Sequence, residues 1–490
     1  YGISNVAAKA SGIILLPIYT KYFSVEEFGR LGLLLAIITI MIQVVILGQG
    51  QSLLRFVNQA ENEDKRKSVL FSLSILILVI SIIFVLIGEV TAPYLANIFG
   101  DFQSYYSSLR ISVYIVAVSV LNNIFQNKLR ADEKSVFYTS LNLIKLVIML
   151  IVTIYFIVNL KLGIDGVLYG QLISEIFVFI IILPPMIKQM EFKYDSKVIS
   201  TSLKFGIPLI FSALSMTLLN ISDRFLIKFL ANEEALGLYE LGYRVAGILN
   251  MFFIMPISLT LLPVAYKIYN HPGDKEYYKK IMTYVTYLLV WGALFLSVFS
   301  KEIITLFSSN VSFIPAFKVV PIILLSYVFF GMSLISSLGF YLLGKTSYVA
   351  IITIVSALLN IGLNFILIPK YGIMGAAINT LIAFVFLYFI SLIGSNQFLK
   401  INFEHQKLCA LILLGVSLFF VSTLFNSMHL FHSLLLKLAL VVLYPIILFI
   451  GSFYEASEIR LLKGFIIKWR NPAGWLDNFK KENSDIFNRL

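Results

Sequence analysis

Stretches of about twenty predominantly apolar residues recur along this chain, and each is long enough to carry an α-helix through the hydrocarbon core of a bilayer. A window of that length places about fourteen spans, near residues 2–20, 29–52, 68–93, 107–127, 137–158, 164–187, 200–222, 235–262, 280–299, 315–342, 347–368, 372–395, 407–426 and 433–453. The expected fold is therefore all-α and polytopic. Composition excludes the alternative of a soluble domain. Of 490 residues 59% are apolar and only 13% charged, against roughly a quarter charged in soluble domains. The mean hydropathy is +0.91.

The net charge of +12 is read against that solvent. Basic residues in turns collect on the cytoplasmic side of a membrane protein. Alternate turns carry them unequally. Lys65–Lys67, Lys128, Arg130, Lys134, Lys188 and Lys193 fall in one set, with the basic tail. Lys21, Arg30, Arg110 and Lys161 fall in the other. The totals are roughly 24 against 10, which predicts an even number of spans with both termini cytoplasmic. That bias makes nucleic acid an unneeded explanation of the charge. The first apolar stretch runs into Pro17 without a small-residue cleavage site, so no cleavable signal is expected; because the chain opens at Tyr1, a few residues are expected to precede it. Cys409, the single cysteine, lies in an apolar run and is expected to be a buried small residue.

Three similarities recur at nearly one offset. YFSVEEFG at 22–29 resembles FLANEEALG at 229–237. Glu133-Lys134-Ser135 lies opposite Gly344-Lys345-Thr346. LGIDGVLYGQLISEIFVF at 162–179 faces YGIMGAAINTLIAFVFLY at 371–388. The repeat unit holds about six spans. An even number gives two copies of like orientation, related by a pseudo-twofold axis along the membrane normal. The domain reading is an N-terminal lobe over 1–190, a second lobe over 191–400, two further spans within 401–453, and a basic tail over 454–490.

A charge near the bilayer centre costs on the order of 2.5–3.5 kcal/mol on insertion scales, so such residues are expected to face water, protein or ligand. They are Lys9, Arg55, Lys145, Glu175, Asp223, Arg224, Glu240 and Arg244. Glu240 and Arg244 are four apart and share a helix face; a self-neutralised pair and a functional site both stay open. Arg55 and Arg224 fit interfacial snorkelling as well as a site. Bases outnumber acids, and a wet cavity lined by Lys and Arg suits an anionic head group such as a pyrophosphate. Prolines such as Pro17, Pro93, Pro208, Pro256 and Pro263 interrupt several spans, which fits either hinges or ordinary kinked packing. His429 and His432 form an HxxH with no carboxylate or thiol beside it, a weak basis for a metal site, and no metal or cofactor is expected. In the tail, Ile459, Leu462, Phe465, Ile466 and Trp469 among basic residues fit either an amphipathic surface helix or a solvated segment.

SGIILLPIYTKYFSVEEFGRLGLLLAI (11–37), KFGIPLIFSALSMTLLNISDRFLIKFL (204–230) and YGIMGAA (371–377) resemble the polysaccharide-biosynthesis flippases. These are Wzx-type O-antigen and capsule translocases of the MOP superfamily, which also holds lipid II flippases and MATE exporters. The resemblance implies a fourteen-helix, MATE-like, two-lobed fold with alternating access, located as a multi-pass protein of the inner (cytoplasmic) membrane. The implied cargo is an undecaprenyl-pyrophosphate-linked oligosaccharide moved from the cytoplasmic to the outer leaflet, for lipopolysaccharide or a related surface polysaccharide. Membrane lipids, a polymerase and a chain-length regulator are the implied partners. By position it points to Lys9, Arg55, Asp223, Arg224 and Arg244; with Lys145, read from its depth in the fifth span, the bases Lys9, Arg55, Lys145, Arg224 and Arg244 are the expected cavity residues, and Glu175, Asp223 and Glu240 the candidates for coupling to an ion. The first span has one Lys and no Arg-Asp pair of the lipid II flippase kind, which argues against a peptidoglycan precursor.

Two other classes are weighed. A MATE-like exporter of organic cations calls for acids on the cavity wall, and here bases dominate. A membrane-embedded glycosyltransferase or polymerase calls for a metal-binding carboxylate cluster or a long outer loop, and the turns hold neither. The chain is therefore read as a non-enzyme.

Overall fold

A computed structural model describes residues 12–425, 428–451, 453 and 454; Lys9 and the tail segment 459–469, read as either an amphipathic helix or a solvated stretch, lie outside them. In lipid each backbone N–H and C=O must be satisfied within its own segment, and the described residues form helices: α1 Leu16–Tyr22, α2 Val25–Val45, α3 Gln49–Asn58, α4 Glu63–Phe99, α5 Phe102–Ala131, α6 Ser135–Val158, α7 Gly163–Ile187, α8 Ser196–Leu230, α9 Glu233–Leu249, α10 Met255–Ile268, α11 Asp274–Val298, α12 Ser300–Phe307, α13 Val320–Ser336, α14 Leu338–Leu342, α15 Thr346–Phe398, α16 His405–Thr423 and α17 Leu430–Ile450. Among the described residues twelve segments are long and apolar enough to cross a bilayer. Side chains such as Ile82, Ile83, Leu86 and Ile180 lie half-exposed or more on their outer faces. In water such a surface would aggregate; in lipid it is solvated.

One of the twelve, α15, crosses twice. Gly372 has φ 58° and ψ −138°, a conformation that favours glycine. The Asn379 side-chain amide reaches the Asn360 carbonyl at 2.5 Å, so the arms before and after Gly372 lie side by side. Conversely, the expected span at 29–52 is broken. Leu47 (φ 49°) and Gly48 (φ 69°) are left-handed and separate α2 from α3. A Cβ on Gly48 would stand 2.8 Å from the Gly206 Cα, so the break lets α8 approach backbone to backbone. In the eighth span a π-turn at Asn250–Ile254 joins α9 to α10, just before Pro256, as expected where proline removes a helical donor.

The chain divides into two compact units, residues 1–404 and 405–490. In the second, α16 packs on α17, and the Tyr444 hydroxyl donates to the Leu411 carbonyl at 3.3 Å. Cys409 is exposed on α16 rather than buried; a thiol is apolar enough to face hydrocarbon.

Successive spans reverse direction, so turns alternate between two faces. On the first face the repeat motifs cap α2 and α9. Ser24 accepts the Glu27 N–H at 3.2 Å while Glu27 accepts the Ser24 N–H at 2.8 Å. Asn232 accepts the Ala235 N–H at 2.7 Å. These caps satisfy donors that lipid would leave bare. The two capped helices then meet: a Cβ on Gly29 would lie 2.7 Å from the Gly237 nitrogen. Glu233 locks the meeting. Its carboxylate takes Arg30 at 3.0 Å, the Tyr105 hydroxyl at 2.7 Å and the Lys228 ammonium. Toward the second face the seam is lighter, with the Ser52 hydroxyl donating to the Ser202 carbonyl at 3.1 Å.

Candidate functional site

Two ion networks and two cavities lie between these seams. The first network joins α8 to α9. Arg224 pairs through Nε with Glu240 at 2.9 Å and through Nη1 with Asp223 at 3.3 Å, and also donates to the Asn220 carbonyl at 2.9 Å. Its guanidinium lies 4.4 Å from the Tyr243 ring centroid. Glu240 spends its other oxygen on Arg244, at 2.8 Å, so the local pairing anticipated from their spacing is present. Arg244 then reaches α2 and α1, 4.8 Å from the Phe28 ring centroid and 5.7 Å from that of Tyr19. A Cβ on Gly32 would lie 2.8 Å from the Glu240 side chain, so α2 leaves room for this carboxylate.

The second network lies within the first half. Lys145 of α6 pairs with Glu175 of α7. Glu175 also accepts from Ser119 and from the Asn122 amide of α5, each at 2.8 Å. The carboxylate is 5% exposed and the lysine 27%. The acid sits behind the wall with its bonds satisfied, and the ammonium stands at the surface of a void.

That void is shared. Lys145 of α6 and Arg244 of α9 line one cavity of about 300 Å³, with Asn142, Gln171, Thr153 and Tyr19. A larger vestibule of about 980 Å³ is lined by Arg55 and Arg130 with residues of α2, α3, α5 and α8. Arg55 donates to Gln59 at 3.2 Å and stacks 4.6 Å from the Phe205 centroid. Along α2 the central cavity includes Leu35 and the vestibule Ile42. Seven residues apart, they set the cavities about 10 Å apart in depth.

A polar cluster lies behind the α8–α9 network. Tyr239 donates to Asp223 and stands 3.4 Å from the Thr380 hydroxyl. Ser222 donates to Asn360 at 3.1 Å, and Asn364 to Asn360 at 3.4 Å. The buried side-chain oxygens of Asn364 and Asn379 have no hydrogen-bond partner in the protein, which is uncommon for buried amides.

The structure thus brings Lys145 and Arg244 together and puts Arg55 in the vestibule. Arg224 is buried and lines neither cavity, because two carboxylates and an aromatic face already hold it. Glu175, Asp223 and Glu240 lie behind the walls. Arg130, grouped by sequence with the basic turns, faces the vestibule; the spacing of Asn123, Asn127 and Arg130 on one helix face was the signal for it.

Comparison with known proteins agrees with this architecture. Residues 1–269 match the family model described as polysaccharide biosynthesis protein, and residues 208–366 match that described as MatE. An uncharacterized membrane protein of Methanocaldococcus jannaschii is 21% identical over 79% of this chain and 81% of its own length. A protein of Haloferax volcanii named as a probable low-salt glycan biosynthesis flippase, Agl15, is 26% identical over 38% of this chain and 40% of its own. Among solved structures, the lipid II flippase MurJ in an inward closed conformation superposes with a TM-score of 0.77 at 17% identity, covering 92% of this chain and 99% of that one. A multidrug resistance MATE transporter of the MOP superfamily, inward-facing, gives 0.68 at 16% identity, covering 84% and 95%.

Proposed function

Because the chain belongs to the polysaccharide biosynthesis protein family of the MOP superfamily, we propose that it is a flippase for a polyprenyl-pyrophosphate-linked oligosaccharide, moving it from the inner to the outer leaflet of the cell membrane for surface polysaccharide assembly. The second face is then cytoplasmic, as are both termini. The observation that carries the reading is the convergence of Lys145 and Arg244 on one cavity from opposite halves of the chain. When the halves rock apart on one face or the other, both cations stay with the head group, and the anion is not exposed to hydrocarbon at any stage.

Each cation is held from behind by a buried acid, Lys145 by Glu175 and Arg244 by Glu240. These fix the side chains before the substrate arrives, and Arg224 fixes Glu240 in turn. Asp223 is the acid best placed to couple transport to an ion. Its carboxylate and the Thr380 hydroxyl both meet the Tyr239 hydroxyl, a run of oxygens of the kind along which a proton passes. A MATE-like exporter of organic cations would want carboxylates on the cavity wall, and here they lie behind it.

The test is reconstitution with a fluorescent polyprenyl-pyrophosphate saccharide under sodium and proton gradients. Transbilayer equilibration well above protein-free vesicles is expected. Equilibration at the protein-free rate under each gradient, while an organic cation is exported, overturns the proposal.

A further inference from the structure

The central cavity, at about 300 Å³, lies at the bottom of the roughly 300–1,000 Å³ range of small-molecule pockets, and the vestibule, at about 980 Å³, at its top. A pyrophosphate carrying several sugars exceeds the first and suits the second. The vestibule is also built asymmetrically. On α3 and its C-cap, Gln51, Arg55 and Gln59 are spaced by four and share a face. On α5, Asn123, Asn127 and Arg130 are spaced by four and three and share another. Each ladder is tied internally, Arg55 to Gln59 at 3.2 Å and Asn127 to Asn123 at 2.7 Å.

The ladders are adjacent because α3 has no side chain where they meet. A Cβ on Gly50 would lie 2.7 Å from the Asn127 amide nitrogen and 2.8 Å from the Asn123 side-chain oxygen. Beside them α8 contributes Phe205, Leu209, Ile210, Ala213 and Met216, all apolar, with Phe205 against the Arg55 guanidinium. Among its lining residues the vestibule carries two arginines, a row of carboxamides and no carboxylate. Lys128, two residues before Arg130, is turned away, buried against Asp132 at 2.5 Å, so the presence of arginine on this wall is set by helix phase rather than by a general basic excess.

We infer that the vestibule is a loading site for the sugar-pyrophosphate head, in which Arg130 joins Arg55 as the second phosphate-binding group and the Asn123–Asn127 ladder reads the hydroxyls of the first sugars. The inference rests on the flippase reading above and names the recognition step that precedes the Lys145–Arg244 cavity. Guanidinium groups match phosphate oxygens bidentately. Carboxamides both donate and accept, as a sugar hydroxyl does. The apolar α8 wall lies against the first isoprene units of the same amphiphile. With no acid on the wall, the site favours neutral or acidic saccharides over cationic amino sugars.

The test measures binding separately from transport. The probe is a water-soluble disaccharide pyrophosphate on a short prenyl chain, titrated calorimetrically against the detergent-purified protein, with the monophosphate as control. Arg130→Ala is expected to weaken pyrophosphate binding more than tenfold and to abolish the preference over monophosphate; Arg130→Lys recovers part of it. Asn127→Asp, nearly isosteric, is expected to weaken binding by a similar factor through charge. Lys301→Ala, exposed and lining neither cavity, is expected to bind within about twofold of the parent. Parent-like binding by both Arg130→Ala and Asn127→Asp overturns the loading site, and so does an equal loss in Lys301→Ala. Parent binding without transbilayer movement sinks the flippase reading instead and leaves the site standing.

Discussion

Gly29 and Gly237, which end the two copies of the repeat motif, stand backbone to backbone: a Cβ on Gly29 would lie 2.7 Å from the Gly237 nitrogen, and one on Gly237 would lie 2.8 Å from the Val25 carbonyl carbon. The contact packs the start of α2 against the start of α9 on the first face. No larger residue fits without parting α2 from α9.

Gly237→Val is therefore expected to hold the first face open. The measurement is labelling of Asn142→Cys, on the cavity wall, by a membrane-impermeant thiol reagent added from that face, in a Cys409→Ala background. A severalfold rise over the glycine parent is expected; an unchanged rate counts against the seal.

Glu233 ties α9 to three other helices, taking Arg30 of α2, Tyr105 of α5 and Lys228 of α8. Hydrogen bonds to charged groups contribute about 1.5–3 kcal/mol each. Glu233→Gln keeps the shape and loses the charge. The same labelling assay is expected to report more frequent opening, to a smaller degree than Gly237→Val, with insertion and folding unchanged.

Glu240 is the shared counter-charge of Arg224 and Arg244. Removing one partner of a buried pair costs about 3–5 kcal/mol. Glu240→Ala is expected to lower the thermal unfolding midpoint in detergent sharply. Pairing it with Arg224→Met and Asp223→Asn, so that no buried carboxylate is left without its cation, is expected to recover much of the loss, since the remaining Arg244 borders a cavity that admits water.

Lys145 and Glu175 separate stability from transport. Lys145→Ala leaves Glu175 buried without its cation and is expected to destabilise; Lys145→Ala with Glu175→Gln is expected to restore stability. A double-mutant cycle reads the coupling. Transport is expected to stay lost in both, because the cation on the wall is absent in both.

Much of the fold is legible before any coordinates. Apolar length marks the spans, and Ser24 and Asn232 mark the matching helix starts. The second break, near Pro369 and Gly372, shows as a gap between two apolar runs. What sequence does not show is where helix phase points a charge. Arg130 and Lys128 are two apart in one basic cluster, yet one faces the vestibule and the other is buried on Asp132. Arg224 and Arg244 look equivalent as intramembrane bases, but tertiary pairing puts only Arg244 on a wall. The break at Leu47–Gly48 is equally hidden, because its cause is Gly206, far along the chain.

The account requires that the first face open during each cycle. Arg30→Cys and Glu233→Cys, in the Cys409→Ala background, place two thiols across the seam where Arg30 and Glu233 pair at 3.0 Å. A short reducible bis-thiosulfonate linker joins them in reconstituted vesicles, and movement of the fluorescent lipid-linked saccharide is followed before and after reduction. Arrest while bridged and recovery on reduction is the predicted result. Undiminished movement through the bridged protein would contradict alternating access between the two halves.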